Sequence, residues 1–140
     1  GVLFDEVTEY RRIVEPAIAE LAALRRTLNQ LDQLKIITCD QQRCLLLGED
    51  DGALDARFHQ QLAECAGNRL LAETITQLNA LYAGGRTPEL RDATWRQFSV
   101  SSHLQIIDAL ERQSPEEARK AAEAHIDHVV SKHLFATARD

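Results

Sequence analysis

Every extended segment of this chain repeats its apolar residues at helical spacing, and nowhere do β-branched residues alternate as a half-buried strand requires. That pattern alone restricts the fold to helices packed on helices. Val7, Val14, Ile18 and Leu21 make the inward stripe of a first helix starting near Phe4. Pro16 falls inside that stripe, where it deletes one backbone hydrogen bond and is expected to kink or split the helix. Thr27 followed by Gln30 is a capping box for a second helix through 28–47, and Gly48-Glu49-Asp50-Asp51-Gly52 is a loop by composition. A third helix spans about Ala53 to Cys65, with Gly67 suited to a left-handed closing position. The fourth runs from Arg69 to about Ala83 and stops at Gly84-Gly85. Thr87-Pro88 then opens a fifth helix to about Glu111. Ser114-Pro115-Glu116-Glu117 combines an N-cap, a first-turn proline and a capping-box glutamate, and opens a last helix to about Ala136. Six or seven helices joined by short loops, without repeat or linker, predict one all-α antiparallel helical bundle over residues 1–140.

Composition narrows the function. With 22 acidic against 16 basic side chains, a net charge of −6, the chain lacks the basic face that grips phosphates, so direct DNA or RNA binding by this segment is not expected. At 44% hydrophobic and 27% charged it is globular rather than disordered. Its longest apolar runs, such as Cys44-Leu45-Leu46-Leu47, are far too short to span a bilayer, and no signal sequence opens the chain. Cys39, Cys44 and Cys65 form no CxxC pair and are odd in number, which reads as ordinary thiols in a cytoplasmic setting. The chain begins at glycine and contains no methionine, so a fragment of a longer protein, lacking something on its N-terminal side, is expected.

Sites inside helical bundles are built from polar side chains that project inward. Asp55, Phe58, His59, Leu62 and Ala66 share one face of the third helix, so Asp55 and His59 point inward one turn apart. His103 interrupts the stripe Val100–Ile107–Leu110, and His125 interrupts Ala118–Ala122–Val129. Arg11 intrudes between Val7 and Val14, whereas Arg12 is turned about 100° away, toward solvent. A single buried histidine with one satisfied hydrogen bond is ordinary. Three histidines and an aspartate on three helices would cost several kcal/mol to bury without a shared partner. A divalent metal removes that cost, because neutral imidazoles and a carboxylate are its preferred ligands. His128 and His133 lie off these stripes and are expected at the surface.

Taken together, Arg11-x3-Glu15-Pro16, Asp55-x2-Phe58-His59, Ala66-Gly67-Asn68-Arg69-Leu70-Leu71, His103 and Ala118-x6-His125-Ile126 resemble the FCD domain. That is the C-terminal effector-binding domain of FadR-subfamily GntR transcription regulators, and the resemblance covers essentially the whole chain. It implies that Asp55, His59, His103 and His125 ligate a metal. It also implies that Arg11 and Asn68 line an effector pocket, that small carboxylates or sugar acids bind there, and that the protein dimerises. The family often has Glu immediately before the third ligand; here that residue is Ser102. The winged helix expected to precede the domain is absent from this sequence, so DNA contact is expected only through that missing N-terminal part.

The resulting expectation is a non-enzymatic, metal-dependent sensor domain that binds an organic or sugar acid. Zinc is the default metal, with nickel, manganese or iron compatible. Arg11 would pair with the effector carboxylate and Asn68 would offer a donor and an acceptor. Arg96, seven residues before His103 on the same face, is either a second anion contact or one half of a surface salt bridge. The alternative is a helical metal-dependent hydrolase or oxygenase-like enzyme on the same four ligands. Glu15 is the acidic candidate for its general base, unless it simply pairs with Arg11 one turn away.

Overall fold

The computed structural model describes residues 2–83 and 92–138, and among these it contains six α-helices: α1 (Val2–Arg25), α2 (Leu28–Leu47), α3 (Gly52–Cys65), α4 (Arg69–Ala83), α5 (Ala93–Glu111) and α6 (Pro115–Ala138). Local signals account for the boundaries. The Thr27 hydroxyl accepts from Gln30 N and the Gln30 side chain accepts from Thr27 N, both at 3.0 Å, which satisfies two orphan donors at the start of α2. Gly48 and Gly67 take φ of 69° and 70°, so each supplies the left-handed residue after a helix end. At Gly67 a Cβ would also meet the Arg25 side chain at 3.3 Å. The Ser114 hydroxyl accepts from Glu117 N at the start of α6.

Two expectations are corrected. Pro16 is fully buried within α1 and does not split it, the helix being continuous from Val2 to Arg25. The one lost backbone bond is outweighed by Val14, Ile18 and Ala19, which anchor the helix in the core on both sides. In addition, no helix runs continuously from Pro88 to Glu111. Asp92 is extended and accepts from Trp95 N at 2.8 Å, so α5 begins at Ala93. The Thr87-Pro88 start itself lies outside the described residues.

Small residues set the packing. Ala19, Ala22 and Ala23 of α1 and Ala118 and Ala122 of α6 are buried, which lets these two helices approach closely over much of their length. α5 packs on α6, α2 on α3 and α5, and α1 also touches α3 and α5, while α4 is held chiefly by α3. Phe58, Leu34, Ile18, Ile106, Leu110 and Ile126 fill the interior. Two adjacent arginines at the end of α1 close other helices. Arg25 donates to Ala66 O at 3.0 Å, and Arg26 donates to Leu110 O and Glu111 O at 3.0 and 3.1 Å, which places positive charge on the carbonyl ends of α3 and α5. Among the described residues no helix is long and apolar enough to cross a membrane.

Candidate metal centre

The bundle brings inward-facing residues of α3, α5 and α6 to one point. His59, His103 and His125 each offer a ring nitrogen, and these atoms lie within 4.8 Å of one another. Asp55 lies beside two of the three, its Oδ1 3.5 Å from His103 Nε2 and 3.8 Å from His59 Nε2. All four side chains are buried, His103 completely. Phe58 stacks on His103 with ring centroids 3.8 Å apart and planes 8° from parallel, and forms an apolar wall on that side.

Outer partners orient two of the rings. His59 Nδ1 donates to Glu15 Oε1 at 3.3 Å, which turns Nε2 toward Asp55. Glu15 is fixed in turn by Arg11 Nε on its other oxygen at 2.5 Å. On the opposite side His103 Nδ1 lies 2.9 Å from Gln41 Oε1. An amide oxygen only accepts, so Nδ1 carries the proton and the Nε2 lone pair faces the cluster. A carboxylate or amide behind each histidine is the usual outer shell of a metal site, where it fixes tautomer and ring orientation.

Electrostatics agree with this arrangement. Burial, reinforced by neighbouring imidazoles, pushes His103 well below the ordinary histidine range and His125 down to about 3. Both rings are therefore neutral at pH 7, with lone pairs available. Burial alone would raise the Glu15 pKa, but the Arg11 guanidinium and the His59 hydrogen bond hold it well below the usual carboxylate range. His103 Nε2 and His125 Nδ1 are buried with no hydrogen-bond partner among the described residues. Such atoms are costly to leave in an apolar interior, and a cation that takes their lone pairs would remove the penalty. Three imidazoles and one carboxylate fit a divalent transition metal.

The FCD domain family matches this chain over residues 6–128. The chain belongs to that family. The Uxu operon regulator of Haemophilus influenzae is 30% identical over 133 residues, covering 91% of this chain and 50% of that protein. The HTH-type transcriptional repressor NanR of Cronobacter sakazakii is 27% identical over 123 residues, covering 86% of this chain and 47% of its own length. This FCD domain thus spans about half the length of the curated relatives it matches. Among solved structures, Streptococcus agalactiae GntR superposes with a TM-score of 0.78 at 29% identity, over 89% of this chain and 56% of its own. E. coli McbR/YncC shares the fold, with a TM-score of 0.84 at 16% identity, over 98% of this chain and 66% of its own.

Within the FCD domain the other anticipated residues are distributed unevenly. Arg11 is mostly buried beside the cluster, bonded to Glu15 and close enough for its charge to help depress His125. Arg96 Nε lies 3.2 Å from Asp51 Oδ1 in an ion pair, the guanidinium also donates to Glu49 O, and the side chain is mostly buried rather than at the surface. Asn68 is exposed and caps α4, its Oδ1 accepting from Leu70 N at 2.9 Å and Leu71 N at 3.4 Å. It lies past the end of α3 and is not brought to the cluster. His128, expected at the surface, is half-buried and stacked on Phe98 at 3.7 Å between ring centroids. Its stripe assignment considered α6 alone, whereas Phe98 is supplied by α5. The His133 side chain lies outside the described residues. Sequence reasoning missed Gln41, although the signal existed: Leu31, Leu34, Ile37 and Thr38 form a buried stripe on α2 whose next turn is the polar Gln41, just as the histidines intrude on theirs.

Proposed function

We propose that this FCD domain is the metal-dependent effector sensor of a GntR-type transcription regulator. The observation that carries the reading is the buried set of Asp55, His59, His103 and His125, with Glu15 and Gln41 behind two of its rings. These four residues would hold a divalent metal, zinc by default, with nickel, manganese or iron also suited to an Asp/His3 set. Bound there, the cation would supply positive charge for an oxygen of a small carboxylate or sugar acid. Arg11, at the edge of the cluster, is the side chain such a carboxylate would meet, in exchange with Glu15. Asn68 and Arg96, engaged in a helix cap and an ion pair, would act on an effector only by giving up those contacts.

A binder is favoured over an enzyme because Glu15, the carboxylate available as a general base, has one oxygen on Arg11 and the other on His59. The relatives named as a regulator and a repressor support the same reading. In the full protein, DNA contact would belong to a winged-helix part N-terminal to this domain, and the working assembly would be a cytoplasmic homodimer.

Elemental analysis of the purified chain, followed by melting curves with a panel of organic and sugar acids, tests the reading. One divalent metal per chain is expected, together with acids that raise the melting temperature only when the metal is present. A chain that is metal-free after loading with zinc, nickel and manganese in turn would overturn it.

A further inference from the structure

A second polar group lies next to the proposed metal site, running from α2 through the α2–α3 loop to α5. We infer that Gln41, Asp51 and Arg96 form a positioning relay that holds His103 in the tautomer able to bind metal. The inference rests on that reading of the site.

A neutral imidazole has two tautomers of similar energy. With the proton on Nδ1, His103 turns its Nε2 lone pair into the cluster. With the proton on Nε2, His103 would donate to Asp55 Oδ1, only 3.5 Å away. That second form pairs two buried polar atoms without any metal, so it competes with metal binding. Something must disfavour it.

Gln41, completely buried, faces His103 Nδ1 with its amide oxygen at 2.9 Å. The amide could rotate and present its NH2 group instead, which would favour the wrong tautomer. Asp51 opposes that rotation. Its Oδ2 accepts from Gln41 Nε2 at 3.4 Å, and a carboxylate has no donor to offer a rotated amide oxygen. Asp51 is itself buried and ion-paired with Arg96, whose Nε lies 3.2 Å from Oδ1 without a hydrogen bond to it, while the guanidinium is braced on the Glu49 carbonyl. A guanidinium only donates, a carboxylate only accepts, and an amide does one of each. The polarity set by the Arg96–Asp51 pair is therefore transmitted through Gln41 to His103 without ambiguity. At His59 the same task falls directly to the Glu15 carboxylate. At His103 the charge stands one residue further back, and the ring meets a neutral acceptor. The three are positioning residues, since Gln41 meets the outer nitrogen of His103 and Asp51 and Arg96 stand behind Gln41.

The test reads the tautomer and the affinity separately. Two-dimensional 1H–15N spectra of the zinc-free chain report which ring nitrogen of His103 is protonated, and zinc affinity is measured by chelator competition. The parent should show the Nδ1–H form. Gln41→Leu and Asp51→Ala should shift His103 toward the Nε2–H form and weaken zinc by about 10- to 100-fold. Gln41→Glu keeps an acceptor for Nδ1–H but places a second carboxylate beside Asp51. It should retain the tautomer and most of the zinc affinity while melting lower than the parent. A purely structural role for Gln41 would not separate those readouts. The relay is wrong if Asp51→Ala, the arbiter should Gln41→Leu not fold, keeps the parent tautomer and binds zinc within twofold of the parent. It is equally wrong if Gln41→Glu binds as weakly as Gln41→Leu. A parent chain that binds no zinc would reject the metal reading alone, because the zinc-free spectra still decide the relay.

Discussion

Two histidines of this domain lie flat on phenylalanine rings, and they differ in almost everything else. His103 of α5 stacks on Phe58 of α3 at 3.8 Å, and His128 of α6 stacks on Phe98 of α5 at 3.7 Å. The first pair is fully buried, and His103 has Gln41 behind one nitrogen and Asp55, His59 and His125 around the other. The second pair is partly open to solvent, with Phe98 49% exposed, and its further neighbour is an indole, Trp95, at 6.2 Å. A ring stack contributes packing at either place. What distinguishes a candidate site is the convergence of several lone pairs among buried side chains.

The largest effect should come from removing a lone pair from that convergence. His103→Ala and His125→Ala are each expected to abolish stoichiometric metal binding. Each should also destabilise the chain by about 3 kcal/mol through lost packing, with further loss from forfeited metal linkage. Metal content by elemental analysis and melting temperature should fall together, and full occupancy in both variants would erase the distinction between the two stacks.

Acid should act more gradually. In the folded, metal-free chain His103 and His125 have depressed pKa values, His125 about 3, whereas unfolded histidine titrates near 6.5. Below about pH 6.5 the unfolded state therefore binds more protons. Stability is fully present above that pH and is lost as pH falls toward the folded values, by up to about 1.4 kcal/mol per pH unit for each ring. Urea midpoints of the metal-stripped chain from pH 7.5 to 5 should show this slope, and His125→Gln should reduce it. A flat profile would mean that the rings are not buried neutral.

The smallest effects should separate the two phenylalanines. Phe58→Leu is expected to cost about 1–2 kcal/mol and to weaken metal binding, because the wall against His103 loosens. Phe98→Leu and His128→Ala should each cost about 1 kcal/mol or less and leave metal content unchanged. Equal metal loss on both sides would show that the centre extends to α6 beyond His125.

Most of the helical frame was legible because its signals are local. Thr27 and Gln30, Gly67, and Ser114 with Glu117 each act within a few residues of a helix end, so the boundaries they predict agree with the structure. Pro16 misled for the same reason. Local chemistry predicts a kink or a split there, and the core around Val14 and Ile18 keeps the helix from splitting. The inward stripes also singled out Asp55, His59, His103 and His125, since a polar residue on an apolar face is visible without a partner.

The sequence by itself thus determined that this chain is an all-α bundle and which ionisable residues face its interior, because helical periodicity and capping are written in short stretches of chain. Only the tertiary structure decided what those residues meet. The amide behind His103 comes from a residue 62 positions earlier, and the Arg26 cap on α5 spans 84 positions. Glu15 serves His59 instead of merely pairing with Arg11, and Arg96 turns to Asp51. A side chain's polarity is fixed by its own atoms, but its role depends on the donors and acceptors that packing brings within about 3 Å, and no periodicity in a single helix records those.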